Sequence, residues 1–150
     1  MEAQEERQIM TLQTNRSIPR CTVIPEIAYP DADQASAWLC DAFGFTVRLH
    51  IANHRAQLNV GDGALVVKEG AGGGSSPASL THSVMVRVAN VDGHHDRAKQ
   101  RGARIVRPPT DYPYGERQYT AEDFAGRSWT FSQSIADVAP EEWGGTSVQL

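Results

Sequence analysis

Residues 29–45 read Tyr29-Pro30-Asp31-Ala32-Asp33-Gln34-Ala35-Ser36-Ala37-Trp38-Leu39-Cys40-Asp41-Ala42-Phe43-Gly44-Phe45. An aspartate ahead of an apolar-periodic run can accept a hydrogen bond from a free first-turn amide, so Asp31 or Asp33 caps a helix here. Ala35, Trp38, Leu39, Ala42 and Phe43 recur at helical spacing and form one apolar face. Gly44 closes the helix, because glycine enters the left-handed backbone region at little steric cost.

Strands flank this helix. Upstream, Cys21 to Tyr29 is rich in β-branched residues and reads as a strand. Pro25 within it marks an edge or a bulge, since proline has no N–H for the ladder. Downstream, Phe45 to Ile51 alternates, His54 to Val60 follows, and Gly61-Asp62-Gly63 turns the chain into Ala64 to Lys68. His50 and His54 bracket a hairpin, so their spacing is not that of a helical metal pair.

The same order returns after a Gly/Ser linker at 70–81. His82 to Val88 alternates cleanly, with Val84, Val86 and Val88 on one side and Ser83, Met85 and Arg87 on the other. Asp92 is expected to cap a second helix that runs to Arg101 and stops at Gly102. Ala103 to Arg107 reads as a strand broken by Pro108-Pro109. Residues 111–115 read as a loop, followed by a hairpin of Glu116–Ala121 and Ser128–Ser132. His94 and His95 fall in the first turn of the second helix and are expected to face solvent. The polar stretch from Ile135 carries Trp143 and is expected to make one docked turn.

Three stretches carry a family resemblance. They are Tyr29-Pro30-Asp31-Ala32-Asp33 leading to Gly44-Phe45, Val88-Ala89-Asn90-Val91-Asp92 leading to Gly102-Ala103, and the run from Tyr114 to Phe131 with its turn Asp123-Phe124-Ala125-Gly126. In order and spacing they resemble the vicinal oxygen chelate superfamily, which holds glyoxalase I, bleomycin-resistance proteins and extradiol dioxygenases. The resemblance implies an α+β fold. Two βαβββ half-modules, 20–69 and 82–133, would form a curved mixed sheet or partial barrel, with helices on the convex face. A polar tail precedes them at 1–19, mobile or loosely docked, and another follows at 134–150. The concave face would line a ligand cavity, and a homodimer is implied.

Metal-dependent members of that family place His or Glu ligands on the first and last strands of each half. Carried over residue by residue, those positions fall on Ile24, Val67, Ser83 and Thr130. None is a usual ligand, and an aliphatic side chain has no donor atom. The expectation is a protein without a metal or other cofactor that binds a small organic molecule, with drug or toxin sequestration as one use. The alternative is a metal-dependent lyase or isomerase of the glyoxalase class with a displaced site, drawing on Glu26, Glu69, Glu116 and His82.

Strand alternation extends the list of inward residues. Ser83, Met85 and Arg87 share a face with Thr130. The family pattern adds Glu116, Gln118 and Thr120, and Gln57, Asn59 and Glu26 are the candidates of the first half. Trp129 and Phe131 then point to the helix layer. Arg87 has two open roles: a charge-assisted bond to an anionic or carbonyl ligand, or a pair with Glu116. Tyr112 and Tyr114 sit on a proline-stiffened loop at the cavity mouth, where rings can stack on a planar ligand, pack on a dimer partner, or simply face water.

Composition agrees with a globular protein that binds neither membrane nor nucleic acid. The chain has 150 residues and a net charge of −4, without the basic balance of a nucleic-acid binder. No apolar run approaches the ~18–20 residues of a membrane span. The acidic start, Met1 to Arg7, is unlike a secretory signal, and Cys21 and Cys40 lack CxxC spacing, so free thiols in the cytoplasm are expected. No phosphate-binding GxxxxGK[ST], no nucleophile elbow and no HExxH occurs.

Overall fold

The computed structural model describes residues 13–52, 54–70 and 82–148. Asp31 is the first helix cap: its side chain accepts from the Gln34 amide at 3.0 Å, and α1 runs Ala32–Phe43. Gly44, at φ 81°, ends it and donates to the Cys40 carbonyl. The strand before α1 is shorter than expected: β1 is Glu26–Tyr29 and begins only after Pro25. After α1 come β2 (Thr46–Ile51), β3 (Arg55–Val60) and β4 (Gly63–Glu69).

The second half repeats the plan with β5 (Ser83–Arg87), α2 (Val91–Gln100), β6 (Arg104–Tyr112), β7 (Glu116–Glu122) and β8 (Ser128–Ser134). Two expectations need correction. Asn90, not Asp92, caps α2, accepting from the Gly93 amide; Asp92 sits in the first turn. Pro108-Pro109 also does not end β6. That strand is the outer edge of its sheet, and its register with β7 shifts between Arg107 and Thr110. An edge strand with bulges has little use for the missing amides.

Each half forms a four-stranded mixed sheet, ordered β1-β4-β3-β2 and β5-β8-β7-β6. β1 runs parallel to β4 and β5 to β8, while the other neighbours are antiparallel. The two sheets are not closed into one barrel. They share a core on their helix sides, where Leu39, Leu58, Val67, Tyr119, Trp129 and Phe131 are fully buried. Phe43, from the end of α1, reaches the second half: its ring lies 4.9 Å from Phe131 and 5.4 Å from Trp129. Removing one such aromatic costs about 3–5 kcal/mol.

Polar bonds lock the same seam. Trp38 Nε1 donates to the Arg101 carbonyl at 3.1 Å, and Arg101 pairs with Asp41 at 2.9 Å. Arg127 Nη2 donates to the Ala28 carbonyl at 2.8 Å. Because the halves meet by their helix sides, the opposite face of each sheet points away from the seam. A short 3-10 helix, Pro140–Trp143, ends the described chain and supplies the turn expected near Trp143. The linker expected at 70–81 lies, from residue 71 on, outside the described residues, as do residues 1–12 of the tail.

Candidate functional site

Val84 and Val86 on β5, and Val88 just after it, pack against the core. Alternation therefore turns Ser83, Met85 and Arg87 to the open face. The register adds their neighbours: Met85 pairs with Thr130, and Thr130 with Thr120. Gln118 and Glu116 lie on the same side of β7, since Tyr119 and Ala121 are buried on the other. The open face of sheet 2 thus gathers seven of the residues singled out in the sequence.

Its polar groups hold one another loosely. Thr120 and Thr130 share a hydroxyl bond at 3.1 Å. Glu116 accepts from Gln118 Nε2 at 3.0 Å and from the Ser132 hydroxyl. Arg87 donates to Ser134 Oγ at 3.2 Å, and no carboxylate among the described residues pairs with it. The Arg87–Glu116 pair, one of the two roles open in sequence, does not form. Met85 is 59% exposed.

Sheet 1 is different. Glu26 lies on its open face but is engaged by Arg55 at 3.2 Å and Lys68 at 3.5 Å. Gln57 is nearly buried, because the chain before β1 crosses the face at this point: Gln57 Nε2 donates to the Ser17 carbonyl at 2.8 Å. Arg48 donates to Gln57 Oε1 and, at 3.1 Å, to the Arg16 carbonyl. Residues 13–19 of the expected tail are thus a strap on the sheet, with Pro19 buried. Asn59 donates to Thr46 Oγ1 at 3.4 Å. Between the strap and the β3–β4 turn a cavity of about 190 Å³ remains, lined by Arg20, Arg48, Asn59 and Asp62 among others.

Tyr112 and Tyr114 stack at 5.3 Å with rings 9° apart, and Trp143 meets Tyr114 edge-on at 5.5 Å. Arg107 donates to the Tyr112 hydroxyl at 2.9 Å. Burial and the charge of Glu116 raise the Tyr114 pKa, so its hydroxyl stays protonated. The tip is held by Gly115, at φ 83°, whose place leaves no room for a side chain against the Ala136 carbonyl.

Several expectations are corrected. Val67, matched to a metal-ligand position, is fully buried in the core, because it pairs with Ile27 on the helix side. Glu69 shares that row and points away from the Glu26 side. Glu26 and Glu116 stand on different sheets, and His82 precedes β5. His94 is not a solvent-facing residue. Its Nε2 lies 2.9 Å from the Phe43 carbonyl, which can only accept, so Nε2 carries the proton and Nδ1 accepts from the Tyr119 hydroxyl. Burial lowers its pKa, Arg97 adds to this, and the Phe43 bond opposes it.

Asp123 is the other buried polar centre. Tyr29 OH donates to its carboxylate at 2.6 Å and Trp129 Nε1 at 3.0 Å, while the Ala125 and Arg127 amides reach its second oxygen. Desolvation first, then the Asp123 charge, raises the Tyr29 pKa far above the ordinary phenol value, so Tyr29 remains a donor. The strap, Arg48 and Asp123 carried no sequence signal for these roles. Arg48 sits at a register shift between Val47 and Leu49, where simple alternation fails.

A family model matches residues 17–131, described as the Glyoxalase/Bleomycin resistance protein/Dioxygenase superfamily. The chain belongs to that superfamily. Among solved structures it is similar to TioX from Micromonospora sp. ML1, at 32% identity over 79% of this chain and 100% of that one, TM-score 0.63. It shares its fold with a glyoxalase/bleomycin resistance protein/dioxygenase from Alicyclobacillus acidocaldarius, at 15% identity over 79% and 95% of the two chains, TM-score 0.63. The fosfomycin resistance protein FosX from Listeria monocytogenes shares it too, at 14% identity over 75% and 92%, TM-score 0.61. No curated protein matches the sequence.

Metal-dependent members of the superfamily would hold an ion at the strand positions named above, and the side chains here do not fit one. Thr130 and Ser83 offer neutral hydroxyls, Val67 is in the core, and its open-face neighbour Val66 has no donor atom. Among the described residues no three His, Cys, Asp or Glu side chains converge. No helix among them is long and apolar enough to cross a membrane.

Proposed function

We propose that this superfamily member binds a small organic molecule without a metal, on sheet faces completed by a second copy of the chain. The observation that carries the reading is the open face of sheet 2. It presents neutral hydroxyls and amides, one exposed methionine, and an arginine that donates to the Ser134 hydroxyl and meets no carboxylate among the described residues. Such a face can grip a ligand by shape, stacking and a few hydrogen bonds, as small-molecule sites do. One sheet is only half of an enclosing cavity, which is why a homodimer belongs to the proposal. The stacked Tyr112–Tyr114 pair offers a surface for a planar group. Arg87 would meet an anionic or carbonyl group. Sequestration in the cytoplasm is the use proposed. A lyase or isomerase with a displaced metal site has no observation in its favour, since Glu26 is held in two ion pairs and Glu69 lies on the opposite side.

The test is direct. Purified protein is assayed for zinc, nickel, manganese and iron, sized by light scattering, and screened by thermal shift against bleomycin, fosfomycin and planar aromatic drugs. The expected result is a dimer of 16.4 kDa chains without a stoichiometric ion. At least one compound should give a saturable stabilisation that is lost in Arg87→Gln or Tyr114→Ala. A stoichiometric ion released by Glu26→Gln or Glu116→Gln overturns the reading, as does a screen with no stabilising compound.

A further inference from the structure

We infer that the cavity between the strap and the β3–β4 turn is a separate binding site for a compact organic carboxylate. Two arginines, Arg20 and Arg48, line it together with Asn59 and the turn at 61–64. No carboxylate among the described residues pairs with either arginine. Arg48 is nonetheless fixed in place: its partners among the described residues, Gln57 Oε1 and the Arg16 carbonyl, are both neutral. They orient the guanidinium and leave its charge uncompensated. A guanidinium carries five N–H donors, and these bonds occupy two, so donors remain for a ligand. Asp62 is the one acidic side chain in the lining, which leaves a net charge of +1 from two arginines and one aspartate.

Size narrows the class. The volume is about 190 Å³. This is below the ~300 Å³ at which drug-sized pockets begin, so its size suits a small acid. A carboxylate matches the planar fork of a guanidinium in two parallel bonds. The Asn59 side chain can serve a neutral polar group of the same ligand. The site also gives the strap a role: Pro19, its last residue, lines the cavity beside Arg20 and Cys21, so the site is complete only while the strap is docked. It uses no residue of sheet 2 and no second copy, so it stands or falls apart from the function proposed above.

The experiment titrates the full chain with acetate, succinate and inorganic phosphate at fixed ionic strength, with sodium chloride as control. Melting temperature and backbone amide NMR shifts are followed. The expected result is saturable stabilisation by a carboxylate, with shifts centred on residues 20–21 and 59–64. Affinity should fall at least about tenfold in Arg20→Gln, which removes an exposed side chain, and rise in Asp62→Asn, which removes the opposing charge. Tighter binding of phosphate than of either carboxylate overturns the ligand class. The absence of any saturable effect beyond chloride, or equal affinity in Arg20→Gln, overturns the site.

Discussion

Two hairpins turn the chain at equivalent places, one in each half. Between β3 and β4 the turn carries Asp62, exposed to solvent. Between β7 and β8 the turn carries Asp123, buried beneath Tyr29 and Trp129 with four donors on its carboxylate. The open faces differ in the reverse sense. Gln57 on sheet 1 is 5% exposed under the strap, whereas Met85 on sheet 2 stands free. The same fold unit has therefore been used twice for different ends. The second half supplies the buried polar clamp of the seam and leaves its outer face bare, while the first half covers its outer face with its own chain.

The sharpest way to break this contrast is at the two aspartates. Asp123→Ala strands the Tyr29 hydroxyl and the Trp129 N–H in the core, and it is expected to cost about 3–5 kcal/mol in urea unfolding. Asp62→Ala removes nothing from a buried network and should stay within about 0.5 kcal/mol. Equal losses at the two sites would mean that the turns are equivalent after all.

What was legible in the sequence follows the range of the forces involved. Asp31 and Gly44 act within one helical turn, so their residue types announced the ends of α1. The alternation of Val84, Val86 and Val88 fixed the face of Ser83, Met85 and Arg87, because a strand has only two faces. Asn90 and Asp92 can both cap and lie two positions apart, so residue type does not choose between them. Pro108-Pro109 looked like a stop because edge position is a property of the sheet, not of the dipeptide. The strap was illegible for a different reason. It is held through the main-chain carbonyls of Arg16 and Ser17, which leave no mark on residue type.

A middle-sized effect is expected at the two open faces. Gln57→Ala removes both the bond to Ser17 and the acceptor of Arg48, at a cost of about 1–2 kcal/mol. Trypsin cleavage after Arg16 and Arg20 should accelerate as the strap loosens. Met85→Ala should change stability by less than about 0.5 kcal/mol, because its side chain gains little burial within one chain. If Gln57→Ala is silent in both readouts, sheet 1 is as bare as sheet 2 and the contrast fails.

The smallest effect concerns the helices, and it appears only on changing pH. Four residues after its cap, α1 carries Ala35, fully buried; at the same distance from Asn90, α2 carries His94. Alanine has nothing to titrate. His94 is held neutral by burial, so its folded pKa lies below the unfolded value near ~6.5. In the window between those two values the unfolded chain binds the extra proton, and stability rises with pH. The contribution is therefore complete above about pH 6.5 and is lost as pH falls through that window. His94→Gln keeps an amide donor for the Phe43 carbonyl but removes the titration. Urea midpoints measured from neutral to acid pH should fall more steeply in the parent than in His94→Gln. Parallel curves would place His94 in contact with water, and α2 would then resemble an ordinary exposed helix rather than the seam between the halves.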